Sequence, residues 1–224
     1  MDGSLLTTTP ALALASGNFN QVPVIAGSNH DEYRLFVALQ YDFGVGPLMN
    51  ADYATAVSAL WGTSIGPIVL AAYPLPANPP ADAASLALGA SGTDGLFSCP
   101  ARIGDQILSQ FVNTYAYEFN DEDAPAFSGA SFPLGAYHGA EIQCLFVYFG
   151  VPPPFTPDQE LLSEAMIGYW TTFAATGNPN SANQPTWPRY SSTTDKFQSF
   201  VPPTPTVEST FATDHLCTAL WDFL

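Results

Sequence analysis

Two ionisable residues stand where a proton-transfer site could be built. Glu32 follows the compact apolar run at residues 21–28 (QVPVIAGS) across the polar turn Asn29-His30-Asp31. His138 ends an acidic, Gly- and Pro-rich stretch, residues 121–137, that itself follows residues 113–120 (NTYAYEFN). Both runs read as strands, and in an open α/β sheet sites form at the carboxyl ends of the strands. A carboxylate and an imidazole delivered there can hydrogen-bond. The carboxylate orients the ring and stabilises its charged form, and the ring takes a proton from a nucleophile. Taken singly, the commoner role of such a Glu is that of a helix-start acid, and of such a His that of a solvated loop residue.

A nucleophile is harder to find. Gly62-Thr63-Ser64-Ile65-Gly66 matches the G-x-S-x-G pattern literally. The mechanics of that elbow need a buried strand directly before the serine. Residues 52–61 (DYATAVSALW) instead place Tyr53, Val57, Leu60 and Trp61 on one helical face, so the motif reads as a Gly-bounded turn between two helices. The three histidines, His30, His138 and His215, lack metal-ligand spacing such as H-E-x-x-H, and no metal or other cofactor is implied. His30 reads as a solvated turn residue, His215 as a residue near the start of a terminal helix, and Glu141 as a first-turn helix acid beside His138.

The elements that must position Glu32 and His138 alternate in type. Helices are expected over residues 10–16, 33–41, 51–61, 65–73, 81–88, 94–110, 139–149 and 214–224. The strongest is at 157–176, opened by acids and closed by Gly177. Strands are expected at 21–28, 113–120 and 196–202. Strand, polar loop, helix is the unit of an α/β sheet, which is the fold class expected here. No internal repeat or interdomain linker interrupts the pattern.

Composition narrows the function classes. The chain has 224 residues, 47% of them hydrophobic, with a mean hydropathy of +0.11, enough to bury a sizeable core. Asp and Glu number 20 against 4 Lys and Arg, a formal net charge of −16. Arg34, Arg102, Arg189 and Lys196 are scattered singly, which argues against phosphate-backbone binding and against an anionic membrane surface. No apolar run is expected to approach the roughly 20 residues of a membrane span. The first residues, Met1-Asp2-Gly3-Ser4-Leu5-Leu6, carry neither the charged nor the apolar region of a signal peptide.

Several segments together resemble one family. Residues 22–32 (VPVIAGSNHDE) resemble the acid segment of type-B carboxylesterases, the family that includes the cholinesterases, and Gly135-Ala136-Tyr137-His138-Gly139-Ala140-Glu141 looks like its histidine segment. Residues 176–180 (TGNPN) with Trp187-Pro188 resemble the stretch that follows. Tyr33 departs from the family, which most often has Gly there. The resemblance runs in order over nearly the whole chain. It implies the carboxyl-terminal portion of an α/β-hydrolase fold spanning residues 1–224, with Glu32 as triad acid and His138 as general base and acid. The serine elbow and Gly-rich oxyanion segment precede the acid in that family and are absent here. The serine would therefore come from an amino-terminal part on another chain or segment, and the substrate would be a small carboxylic ester. A non-catalytic cholinesterase-like binding module and a self-contained hydrolase using Ser64 are the alternatives. The resemblance also implies a disulfide between Cys99 and Cys217, leaving Cys144 as a buried thiol in its apolar run. Such a bridge implies an oxidising compartment, so the protein is expected to be secreted or extracytoplasmic.

Overall fold

A computed structural model describes residues 3–4, 7–147 and 150–224. In chain order the elements are α1 (Pro10–Ala15), β1 (Val24–Asn29), α2 (Glu32–Gln40), α3 (Tyr53–Ala72), α4 (Ala83–Thr93), α5 (Cys99–Leu108), β2 (Thr114–Phe119), α6 (Ile142–Leu145), α7 (Pro157–Thr176), β3 (Phe197–Phe200), β4 (Thr206–Glu208) and α8 (Phe211–Asp214). The fold is mixed α/β. Among the described residues four strands lie in the order β1-β2-β3-β4, the first three parallel and β4 antiparallel to β3. Parallel neighbours need long crossovers. Helices α2–α5 supply the first and α6–α7 the second.

β2 is central and buried on both faces, as its apolar sequence requires. Alternation sends Tyr115, Tyr117 and Phe119 to a large core with Tyr169, Trp187 and Phe200. Ala116 faces a second cluster with Cys99, Phe197, Phe211 and Cys217. Trp187 is fully buried and donates its indole N–H to the Ala116 carbonyl at 2.9 Å, so its one polar atom is satisfied inside the core. α7 matches its expected limits because its ends are chemically marked. Thr156 and Gln159 form a reciprocal capping box, and Pro157 sits in the first turn, where its missing N–H costs nothing.

Five expectations need correction. The helices at 51–61 and 65–73 are one helix, α3, bent where Gly62 takes φ +74°. With its preceding turn this helix, Asn50–Ala72, is 23 residues long with a hydropathy of 1.4, so one segment is long and apolar enough for a membrane span by length and composition. Residue-by-residue reading missed it because Gly62 and Pro67 punctuate the run. Tyr53, Ala56, Val57 and Val69 bury one face of it in the main core. The expected helix at 94–110 joins α4 through a π-helical turn at Asp94–Ser98. The helix expected at 139–149 shrinks to Ile142–Leu145, its last two residues lying outside the described ones. The terminal helix at 214–224 is instead α8 and a short 3-10 turn at Trp221–Phe223, because Leu216 adopts φ +51°, where a helix cannot continue.

Candidate active site

β1 ends in Ser28-Asn29, and the turn His30-Asp31 leads into α2, whose first residue is Glu32. Burial leaves Glu32 only 7% exposed. Its Oε1 accepts the Asn29 backbone N–H at 2.8 Å, and its Oε2 lies 2.6 Å from Nδ1 of His138. Desolvation raises the Glu32 pKa, while the Asn29 N–H and the His138 ring oppose the rise. The His138 side chain is about half exposed (49%). A carboxylate on Nδ1 fixes the proton there and leaves Nε2 facing outward as an acceptor. Two partly buried rings flank it: Phe36 at 5.1 Å and Phe97 at 5.5 Å between centroids, themselves stacked 5.7 Å apart.

The loop that carries His138 is tied down at several points. The Asn29 side-chain amide donates to the Tyr137 carbonyl at 2.8 Å and to Glu141 Oε2 at 2.5 Å. Asp31 and Ala136 exchange two hydrogen bonds. The structure thus brings Glu32 and His138 together, with Glu141 near them as the N-cap of α6. Ser64 lies inside α3, exposed and without a strand before it.

A second histidine centre lies beneath the sheet end. His215, 2% exposed, has Nδ1 at 2.6 Å from Asp94 and Nε2 at 2.5 Å from Glu118. Burial would lower its pKa, but the two carboxylates outweigh this and push it to about 10. The same ring keeps the Glu118 pKa below its usual value despite burial. Potential ligand atoms of His30, Glu118 and His215 lie within 4.8 Å of one another. A metal there would have to displace the proton that His215 shares with Glu118. The geometry is that of a charged lock in which both ring nitrogens donate, leaving neither free to serve a nucleophile. His30 is not a freely solvated turn residue. It lies 3.3 Å from Asp31, its ring packs 5.3 Å from His215, and its pKa is raised chiefly by the Asp31 contact.

The disulfide joins Cys99 at the start of α5 to Cys217 beyond α8, with Cα atoms 5.3 Å apart, and Cys144 is a buried free thiol. Residues 1–217 match the carboxylesterase family. The chain belongs to that family. It is 32% identical over 206 residues to a liver carboxylesterase of Sus scrofa, covering 85% of this chain and 35% of that protein. It is 29% identical over 199 residues to an acylcarnitine hydrolase of Rattus norvegicus (84% and 35%), and 28% identical over 203 residues to a cocaine esterase of Oryctolagus cuniculus (85% and 37%). The chain therefore spans little more than a third of the length of these curated relatives.

Within this carboxylesterase-family chain the four-stranded sheet and its helices form part of an α/β-hydrolase fold. Sequence reasoning missed Asn29 and Asp31 as organisers of the site and His215 as a buried charge. The polar turn Asn29–Asp31 was a visible signal for the first two, being three hydrogen-bonding residues at the carboxyl end of a strand. For His215 no local signal existed, because its partners lie 121 and 97 positions away.

Proposed function

We propose that this chain is the carboxyl-terminal part of an ester hydrolase and supplies the acid, Glu32, and the base, His138, of a Ser-Glu-His triad. The observation that carries this reading is the 2.6 Å bond between His138 Nδ1 and a buried Glu32 carboxylate, on a histidine whose side chain is half exposed. An amino-terminal part supplies the serine and the oxyanion donors. β1 lies at one end of the sheet order, so its outer edge is where further strands of such a part add.

In the reaction, Nε2 of His138 accepts the serine proton as the serine oxygen bonds to the ester carbonyl carbon. The imidazolium, its Nδ1–H held by Glu32, then donates that proton to the departing alkoxide, leaving an acyl-serine. Water repeats the sequence: His138 takes its proton, the hydroxide oxygen bonds to the acyl carbon, and the proton returns to the serine as the carboxylic acid leaves. Phe36 and Phe97 present an apolar wall to an ester group beside His138. The disulfide suits an extracytoplasmic or secretory setting.

The test is hydrolysis of a short-chain aryl ester by the pure chain, alone and complemented by an amino-terminal esterase segment carrying a nucleophile elbow. Losing a triad nucleophile costs on the order of 10⁶ in turnover, and losing one oxyanion donor about 10²–10³, so the chain alone should show only background rates. Complementation should restore turnover that His138→Ala abolishes. Restored turnover that survives His138→Ala would overturn the assignment, and partner association without turnover would favour a binding module.

A further inference from the structure

The Asp-Glu pair at the head of α2 divides its labour. Glu32 holds the His138 ring, and the residue before it holds the backbone on which that ring stands. Asp31 is 4% exposed. Its backbone N–H donates to the Ala136 carbonyl at 3.0 Å, and its Oδ2 accepts the Ala136 N–H at 3.0 Å. These two bonds form a closed joint two residues before His138. Arg34, one turn along α2, pins the other carboxylate oxygen at 2.8 Å and reaches the Pro133 carbonyl at 3.4 Å. The approach is too close for a side chain opposite. Gly135 has φ +63°, and a Cβ there would lie 2.1 Å from Asp31 Oδ2 and 2.6 Å from Arg34.

We infer that Asp31 is a positioning residue for the general base: by clamping Ala136 it sets the distance and angle at which His138 meets Glu32. The inference rests on the reading of Glu32 and His138 as acid and base. Its physical content is that acid and clamp are adjacent residues on one rigid helix start, so a shift of the turn moves both ends of the Glu32–His138 bond together. Asn29 ties the same loop at the Tyr137 carbonyl, one residue before His138, and the Asp31 clamp fixes the backbone one residue earlier, so the two together set where the ring stands. The carboxylate form suits this task. Burial would raise the Asp31 pKa, but the His30 contact and the Arg34 charge bring it below the usual value, so the acceptor stays ionised.

The experiment compares Asp31→Ala, Asp31→Asn, Gly135→Ala and His138→Ala in the complemented chain. It follows kcat and KM for an aryl ester, thermal unfolding, and the NMR resonance of the proton on His138 Nδ1. Asp31→Ala should lower kcat by about 10–10²-fold, the scale of a small misplacement of a catalytic group. KM should change little, and the Nδ1 proton resonance should shift or broaden. Asp31→Asn keeps an oxygen for the Ala136 N–H but turns its amide N–H group toward Arg34, so it should recover kcat and the resonance in part, above the Asp31→Ala values. Gly135→Ala strains the same joint from the other side and should lower kcat in the same way, which keeps the inference testable should Asp31→Ala not fold. A lower unfolding temperature with unchanged kcat and an unchanged resonance in Asp31→Ala, or unchanged values in Gly135→Ala where that variant alone folds, would overturn the inference. Turnover that survives His138→Ala would overturn the acid–base reading instead. In that outcome a resonance moved by Asp31→Ala still supports the clamp on His138, and an unmoved one refutes it.

Discussion

Glu32 and His138 are 106 positions apart in the chain and share a hydrogen bond of 2.6 Å. Both oxygens of the carboxylate are engaged, one by the ring and one by the Asn29 backbone N–H. A buried carboxylate held at both oxygens cannot rotate away from its histidine, which is what an orienting group requires.

The buried His215 lock makes stability pH-dependent on the alkaline side. Its folded-state pKa, about 10, stands above that of a free imidazole, about 6.5. Its contribution is therefore complete below about pH 6.5 and is lost as pH climbs through about 10. Thermal unfolding of His215→Gln should show a lower midpoint at pH 6 and a smaller decline between pH 7 and pH 10 than the parent. Breaking one side of a buried ion pair typically costs about 3–5 kcal/mol, because buried carboxylates would lose the charge that compensates them. An equal midpoint for parent and variant at pH 6 would refute the lock.

Asp105 also makes stability fall as pH rises, but by adding a buried charge rather than by losing one. It is fully buried on α5, its two carboxylate oxygens have no hydrogen-bond partner among the described residues, and burial pushes its pKa up to about 8. Between the unfolded-state value near 4 and about 8 the folded chain holds a proton that the unfolded chain has released, so this residue lowers stability as pH rises. Asp105→Asn should raise the unfolding midpoint at pH 8, with the gain shrinking towards pH 4. A gain that does not depend on pH would show that packing, not ionisation, is responsible.

The Cys99–Cys217 bridge closes a separation of 118 positions. On the chain-entropy account such a loop is worth about 4–5 kcal/mol. Reduction, or Cys99→Ala with Cys217→Ala, should lower the denaturant midpoint accordingly. Thiol titration of the unreduced, denatured chain should find one reactive group, Cys144. In the native state that thiol should react slowly, since burial raises its pKa to about 12.

Ser64 should be dispensable for catalysis. It lies within α3 two residues past the bend at Gly62 rather than at a strand-to-helix elbow. Ser64→Ala in the complemented chain should keep full turnover. Loss of turnover in a folded Ser64→Ala variant would assign the nucleophile to this chain and displace the split-site account.

The segments that carry Glu32 and His138 were legible in the sequence because each is local: an apolar strand, a polar turn or loop, then one ionisable residue. α7 was legible for the same reason, since Asp158, Glu160 and Glu164 at its start and Gly177 at its end are short-range chemistry. The rest depended on partners distant in the chain. The terminal segment has an amphipathic pattern, yet the Leu216 backbone and the bridge at Cys217 break it, and neither constraint is visible in a periodicity. Asp31 looked like one more polar turn residue until the sheet carried Ala136 to it across 105 positions. His215 looked like a helix-start histidine until β2 and the turn at Asp94 placed a carboxylate on each ring nitrogen. By itself the sequence determined which residues can ionise, which runs are apolar enough to be buried, and the order in which they come. Only the tertiary structure decided which charges meet and how far each is buried. A pKa and a bond geometry depend on neighbours in space, and parallel strand pairing brings those neighbours from a hundred residues away.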